Sequence, residues 1–204
     1  MLTKRVIPKI LIKKLAIQKE NIIVSLTTKK FKDNKIIGSP LSQATIFNDS
    51  KADEIILIDL DHNIIDQEKL NLISSIAENI FIPITVGGGV KTIEDIRILL
   101  SKGADRVVIN GSNLTAEKEN FIKNAVTYFG SQCIVISIDI INLGDEFAIY
   151  DYNKKQNLKI NIKEFMNKVQ NLAIGEIIIT DVKRDGCKVG FDKEFFDQIK
   201  DLIK

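Results

Sequence analysis

Residues 84–90 read ITVGGGV, an apolar strand that runs directly into three glycines. Thr92 follows as a helix N-cap, and Glu94 and Asp95 place acids in the first turn of the predicted helix. Because glycines leave one side of a loop without Cβ atoms, backbone N–H groups there can approach an anion closely. A tight strand-to-helix turn that needs positive φ explains the triplet equally well. The units on either side decide between these interpretations.

Strand–turn–helix units recur along the whole chain. Apolar strands are predicted at residues 5–12, 54–59, 84–86, 106–110, 134–139 and 176–181. Helices are predicted at residues 40–50 (with Ser39 as N-cap), 67–79, 93–102, 117–129, 161–171 and 192–204. Nearly continuous apolar strands are typical of parallel sheets covered on both faces, and alternation with helices implies right-handed crossovers. The pattern predicts an α/β fold with six βα units.

Polar residues cluster at the carboxyl ends of these strands. They are Asp59, the glycines 87–89, Asn110, Asp139 and Thr180. This placement favours a (β/α)8 TIM-barrel type over an open sheet, because barrel active sites lie at that mouth. Two hairpins are also predicted. One has its loop at residues 29–31 after a β-rich segment, and the other joins residues 146–152 to 156–160 through a turn at 153–155.

Composition sets limits on partners and location. The chain has 204 residues, enough for one domain over residues 1–204, and a net charge of +2 from 29 bases and 27 acids. That balance argues against nucleic acid or a membrane surface as a partner. No apolar run reaches about 18 residues, so a cytoplasmic protein is expected. Cys133 and Cys187 have no metal-ligand spacing, and we predict neither a metal nor a cofactor.

The chain resembles the HisF family, the cyclase subunit of imidazole glycerol phosphate synthase, a lyase of histidine biosynthesis. The segments that carry the resemblance are residues 5–8 (RVIP), 58–59 (ID), 85–89 (TVGGG), 103–107 (GADRV), 129–132 (FGSQ), 137–139 (SID), 175–177 (GEI) and 184–186 (RDG). The resemblance implies an eight-fold barrel and a glutaminase partner of the HisH type. Ammonia from that partner would pass along the barrel axis to a bis-phosphorylated ribulosyl substrate at the mouth.

The first of two departures from the family pattern lies at strand one and the loop after it, and it weakens the expected cyclase chemistry. Leu11 stands where the family has an essential aspartate, which leaves Asp139 as the remaining catalytic acid. Thr27 stands at the place of a loop lysine, with Lys29 and Lys30 close by. An apolar residue at position 11 is similar to a HisF-like branch found in surface-polysaccharide gene sets. That likeness adds a sugar amidotransferase as a second candidate partner.

Length is the other departure. Full barrels run to about 250 residues, whereas this sequence has 204 and ends after its sixth predicted helix. The resemblance therefore implies that strands seven and eight are missing. We expect strands one and six to have unpaired edges in that case.

The resemblance assigns functions to two further sets of residues. At the amino-terminal face, the ammonia gate corresponds to Arg5, Glu54, Arg106 and Glu176, and Asp105 corresponds to the acid that faces the glutaminase. At the mouth, Gly88, Gly89, Asn110 and Ser112 correspond to one phosphate site, and Thr180, Asp185 and Gly186 to substrate-side positions. Ordinary ion pairs are the alternative for the gate, and a simple turn is the alternative for residues 185–186. His62 and the lysine pairs 29–30 and 154–155 are interpreted as solvated loop residues.

Three hypotheses follow. The first is a HisF-like conduit that accepts ammonia from a glutaminase, with weakened or lost cyclase chemistry. The second is an active cyclase of histidine biosynthesis that relies on Asp139 alone. The third is a truncated remnant with no function.

Overall fold

The computed structural model describes residues 4–17, 20–144, 146–152, 154–158 and 160–200. Their contacts divide the chain into two compact units. The first comprises the residues up to 27 together with 35–109, and the second comprises residues 28–34 together with the residues from 110 onward. The strands and helices of each unit are described in turn.

The first unit is built on a mainly parallel sheet. Its strands are β1 (Lys9–Ile17), β2 (Glu20–Lys29), β3 (Lys32–Gly38), β4 (Ile55–Asp59), β5 (Ile84–Gly87) and β6 (Arg106–Asn110), except that residues 28–29 of β2, 32–34 of β3 and 110 of β6 belong to the second unit. Its helices are α1 (Pro40–Asp49), α2 (Gln67–Asn79) and α3 (Ile93–Ser101). Strands β1, β4, β5 and β6 are neighbours in that order and run parallel. The core consists of fully buried strand residues such as Leu57 and Val86, packed with helix residues such as Ile73 and Leu99.

Strand β1 differs from its prediction. It begins at Lys9, after Pro8, and continues to Ile17 because residues 11–17 pair antiparallel with residues 20–26 of β2. Residues 9–12 pair with β4 on the other side. The expectation that strand one has an unpaired edge is therefore wrong from Leu11 onward, because β2 folds back along it. The predicted loop at residues 29–31 is confirmed as the connection between β2 and β3.

The second unit has a smaller mixed sheet. Its elements are α4 (Ala116–Phe129), β7 (Ile134–Asn142), β8 (Phe147–Asp151), β9 (Gln156–Leu158), α5 (Ile162–Gln170), β10 (Glu176–Asp181) and α6 (Lys193–Ile199). Strand β10 runs parallel to β7, whereas β8 pairs antiparallel with the end of β7 and β9 antiparallel with β8. The predicted second hairpin is confirmed, although residue 153 of its turn lies outside the described residues. So do residues 201–204 of the predicted last helix.

Helix boundaries agree closely with the predictions because local caps determine them. The Oγ1 of Thr92 accepts a hydrogen bond from the Asp95 amide at 3.0 Å, and the Asp95 carboxylate accepts one from the Thr92 amide at 3.0 Å. This reciprocal capping box starts α3 at the predicted residue. At the other end, Gly103 has a φ of 99°, the left-handed conformation that ends many helices.

Parallel strands therefore alternate with helices, which confirms the predicted α/β fold of the TIM-barrel type. The polar residues singled out at strand ends occupy such positions. Asp59, Gly87 and Asn110 are the last residues of β4, β5 and β6. Within the part of the chain that is described, no helix is long and apolar enough to cross a membrane.

Replacing Thr92 by alanine removes the N-cap acceptor of α3. We expect the free energy of unfolding to fall by about 1 kcal/mol, measured by urea denaturation. Thr92→Ser, which keeps the hydroxyl, is the matched control and should stay close to the unsubstituted protein. Equal stability of the alanine variant and the serine variant would show that the capping box contributes nothing.

Candidate functional site

A buried carboxylate lies at the amino-terminal end of β4. Glu54 precedes the strand and is only 2% exposed. Its Oε2 accepts hydrogen bonds from Nη1 of Arg5 at 3.1 Å and from Nη1 of Arg106 at 3.3 Å. Its Oε1 accepts a short hydrogen bond from the Thr85 hydroxyl. Both oxygens are paired, as a charge in such a buried position requires.

The structure thus brings together three of the four residues assigned to the gate. The fourth, Glu176, opens β10 in the second unit, in register with Val135. Asp105, the predicted partner-facing acid, is exposed at the start of β6. Its Oδ2 accepts a hydrogen bond from the Ile84 amide at 2.8 Å. The second carboxylate oxygen of Asp105 makes no hydrogen bond to any described residue.

A second buried charge cluster lies at the carboxyl end of β4. Lys69 of α2 is only 1% exposed, and its Nζ lies 2.7 Å from Oδ1 of Asp59 and 2.9 Å from Oδ2 of Asp61. The Lys14 amide also donates to Asp61, at 2.8 Å. Burial by itself raises the pKa of Asp61, but the hydrogen bonds from Lys14 and Lys69 outweigh it and hold the pKa below its usual value. The Asp61 carboxylate is therefore kept ionised beside the Lys69 side chain.

The glycine triplet is packed against the loop that follows β4. Gly88 and Gly89 have φ values of 114° and 90°, and a Cβ at either position would collide with a backbone carbonyl, of Asp59 and His62 respectively. The Ile64 amide donates to the Gly88 carbonyl at 3.0 Å. Close backbone approach therefore explains why these positions need glycine. Among the described residues, neither glycine amide has a hydrogen-bond acceptor, so both donors remain available to a ligand.

Asn110 and Ser112 form a polar turn after β6. The Oδ1 of Asn110 accepts a hydrogen bond from the Ser112 amide at 3.0 Å. Ser112 is 1% exposed, and its hydroxyl has no hydrogen-bond partner within the described part of the chain. A buried hydroxyl without a partner is costly unless something outside the chain pairs with it.

Asp139 and Thr180 lie opposite each other on paired strands of the second unit. They are register partners on β7 and β10, and Asp139 is buried. In the first unit, Leu11 of β1 is the register partner of Ile58 on β4 and of Leu26 on β2. The position expected to carry an aspartate therefore holds an apolar side chain between apolar neighbours.

Asp185 and Gly186 hold the tip of the β2–β3 hairpin. Oδ2 of Asp185 accepts from the Thr28 hydroxyl at 2.6 Å and from the Phe31 amide at 3.4 Å, and its carbonyl accepts from the Lys30 amide at 2.9 Å. A Cβ on Gly186 would collide with the Thr28 carbonyl. Asp185 and Gly186, which were predicted to lie on the substrate side, thus make a structural contact with the hairpin.

Lys69 is the site residue that the sequence reasoning missed. A lysine near the start of a helix is normally solvated, and no local rule marks this one as buried. The usable signal was its helical phase. Lys69, Ile73 and Ile76 are spaced i, i+4, i+7 and share the buried face of α2. A cation on that buried face needs carboxylates nearby. Asp59, the last residue of β4, and Asp61 just after it supply them.

Comparison with known proteins gives one family over almost the whole chain. The family described as "Histidine biosynthesis protein" matches residues 5–204. A Vibrio vulnificus protein provisionally named imidazole glycerol phosphate synthase subunit hisF2 is 38% identical over 174 residues, which cover 85% of this chain and 63% of that protein. The Exiguobacterium imidazole glycerol phosphate synthase subunit HisF is 34% identical over 204 residues, covering 100% of this chain and 76% of the relative. A Campylobacter jejuni protein, provisionally named subunit hisF2, is 35% identical over all of this chain and 77% of its own length. The chain thus spans 63% of the length of the first of these relatives and about three quarters of the other two.

Replacing Lys69 by methionine keeps the aliphatic stem and leaves the Asp59 carboxylate buried without its cation. We expect the free energy of unfolding to fall by roughly 3–5 kcal/mol, measured by urea denaturation. Lys14→Met is the control, because Lys14 pairs with Asp66 and Glu68 near the surface and should lower the stability far less. A loss at Lys69 no larger than the loss at Lys14 would show that the buried pair of Lys69 and Asp59 does not stabilise the fold.

Proposed function

This chain belongs to the histidine biosynthesis protein family, and we propose that it is a HisF-like subunit that receives ammonia from a glutaminase. In this proposal it serves a glutamine-dependent amidotransferase complex as a conduit, with weakened or lost cyclase chemistry. One contrast carries the proposal. Arg5 and Arg106 both pair with Glu54. In contrast, Leu11 stands where the resemblance to the HisF family implies an acid.

The Glu54 cluster supports the conduit. Assembling a carboxylate, two guanidinium groups and a hydroxyl in a buried position carries a desolvation cost that apolar residues would avoid. Arg5 and Arg106 both donate to the same oxygen of Glu54, so displacing one guanidinium still leaves the carboxylate paired. Such a shared acceptor suits a gate that opens without leaving an unpaired buried charge.

Leu11 argues against cyclase turnover. Its side chain has no proton to give or take, so one half of a general acid–base pair is gone and Asp139 would have to act alone. Loss of a positioned acid or base typically lowers a rate by about 10²–10⁴-fold. The conduit proposal does not need that step.

A phosphorylated small molecule is the ligand we propose for the mouth. The partnerless buried hydroxyl of Ser112, next to the Asn110 side chain, supports a phosphate oxygen at this turn. In the first unit, the amides of Gly88 and Gly89 donate to no described residue and are by themselves suited to binding a phosphate. Thr180, Asp185 and Gly186 remain proposed substrate-side residues, with Asp185 engaged through one of its oxygens.

A substitution at Asp105 tests whether the protein binds a glutaminase partner. Asp105→Asn keeps an acceptor for the Ile84 amide but removes the exposed charge. We expect the Kd for a HisH-type glutaminase of the same organism to rise roughly three- to tenfold, measured by calorimetry, with a matching loss of glutaminase stimulation. Glu94→Gln is the control, since this exposed acid of α3 pairs with Arg97 and should leave the Kd unchanged. If the unsubstituted protein neither binds nor stimulates the glutaminase, the conduit proposal fails.

Substitutions at Leu11 test whether the missing acid at this position limits cyclase activity. With ammonium salts and the ribulosyl substrate, the unsubstituted protein should give no product above background. Leu11→Asp should raise product formation by about 10²–10⁴-fold over that background, and Leu11→Asn, of the same size but unable to ionise, should not. Turnover by the unsubstituted protein would favour the active cyclase instead. Circular dichroism of both variants checks that the fold survives a polar group at this site.

A further inference from the structure

The loop that follows β4, residues 60–66, is folded around one buried carboxylate. Asp59 is fully buried, and its carboxylate accepts hydrogen bonds from the Asp61 amide at 3.2 Å and from the Asn63 amide at 2.8 Å. Side-chain bonds of this kind to nearby backbone amides shape the turn that follows an aspartate. The path of the loop therefore depends on where the Asp59 carboxylate is held.

The glycine triplet lies directly against this loop. The Ile64 amide donates to the Gly88 carbonyl at 3.0 Å, and a Cβ on Gly89 would collide with the His62 carbonyl. His62 has a φ of 55°, a left-handed conformation that is uncommon for residues other than glycine and that the surrounding structure must hold in place. Because the loop and the triplet are in close contact, a displacement of the loop would also displace the backbone of Gly88 and Gly89.

Lys69 is the cation that keeps the loop in this position. Its ammonium group donates both to Asp59 and to Asp61, so a side chain of α2 joins the end of β4 to the start of the loop. Among the described residues, Lys69 is the one cation that forms an ion pair with Asp59. Without this ammonium group, two carboxylates would face each other at short range, and like charges repel most strongly where water is excluded.

The burial of Lys69 decides how it can affect a ligand. The residue is only 1% exposed, so its ammonium group is closed off from any molecule bound at the surface. Two of its N–H groups are already engaged by carboxylates. Any effect of Lys69 on anion binding must therefore be transmitted through the loop.

We propose that Lys69 is a positioning residue for anion binding by the glycine triplet. Through its two carboxylate partners it holds the loop against Gly88 and Gly89, and thereby fixes the two amides that are suited to a phosphate. Groups that act from behind a binding site in this way orient the groups that touch the ligand. The inference rests on the proposed phosphate ligand and adds the residue that prepares the backbone for it.

Amide hydrogen exchange, measured by NMR, tests whether Lys69 holds the loop. In Lys69→Met, the Ile64 amide should exchange at least about tenfold faster, because its hydrogen bond to Gly88 depends on the position of the loop. The Ile84 amide donates to Asp105 at the opposite end of β5 and should accelerate far less. A general loss of stability would raise both rates alike. Equal acceleration of the two amides, or an unchanged rate at Ile64, would overturn the proposal.

Titration with inorganic phosphate, followed through the amide shifts of Gly88 and Gly89, tests the consequence for binding. Lys69→Met should raise the Kd about tenfold, and Lys69→Arg, which keeps the charge, should restore most of the affinity. Lys14→Met, which removes an ammonium group from nearby surface pairs, should change the Kd less than about twofold. An unchanged Kd in Lys69→Met, or an equal rise in Lys14→Met, would contradict the positioning function.

Asp61→Asn is a milder variant that keeps the test decisive if Lys69→Met does not fold. It removes one of the two charges that Lys69 bridges and leaves Asp59 with its cation, so the fold should survive. The Ile64 amide should then exchange about three- to fivefold faster, and no acceleration would count against the proposal. If the unsubstituted protein binds no phosphate at the glycine triplet, the proposed phosphate ligand fails there, whereas the exchange rates still decide whether Lys69 holds the loop.

Discussion

Buried carboxylates stand at both ends of β4, and each is held by cations from other segments. Glu54 precedes the strand and pairs with Arg5 and Arg106, whereas Asp59 ends it and pairs with Lys69. The four residues between these acids, Ile55–Ile58, are apolar, and the rise along the strand from Glu54 to Asp59 is about 17 Å. Removing Lys69 would leave the buried charge of Asp59 without its cation, at a cost of about 3–5 kcal/mol, whereas Glu54 would keep one guanidinium if the other were lost. The position of β4 therefore fixes both the cluster around Glu54 and the loop that follows Asp59.

The glycine triplet links β5 to this arrangement. At Gly87 a Cβ would lie 2.6 Å from the Cβ of Val108 on β6, and at Gly88 it would collide with the Asp59 carbonyl. The triplet thus first allows β5 to lie close to both neighbours. Anion binding by the triplet, as proposed, would depend on that packing, because the same contacts fix the backbone of Gly88 and Gly89. The two interpretations of ITVGGGV are successive consequences of one geometry.

Local chemistry determined what could be predicted from sequence. The capping box of Thr92 and Asp95 and the helical phase of α2 lie within a few residues, so both helices begin where predicted. The family, the hairpin at residues 29–31 and the alternation of strands with helices were also accessible. Burial of Lys69 was not, because it depends on acids eight and ten residues away in the chain that meet it only after folding. The pairing of β2 along β1 was hidden for the same reason.

The tip of the β2–β3 hairpin shows the same limit. Lys30 belongs to a turn that is unremarkable in sequence, and its amide donates to the Asp185 carbonyl, more than 150 residues further along the chain. Lys30 was interpreted as a solvated charge because nothing within its own segment indicates such a contact. Contacts of this kind depend on topology, which sequence periodicity does not encode.

The negative charges of Glu54 and of Asp105 differ in whether the fold itself requires them. If the residues around Glu54 were lost one after another, a buried charge would at some point be left unpaired. The requirement for stability is therefore enough to maintain this cluster, whether or not ammonia passes through it. Asp105 has no such constraint, because it is exposed and the Ile84 amide needs only an oxygen acceptor, which an amide side chain would also supply. The charge of Asp105, unlike its hydrogen bond, is therefore not required by the fold. For this reason the exposed acid distinguishes a partner-binding face from an ordinary ion-paired strand end more sharply than the buried cluster does.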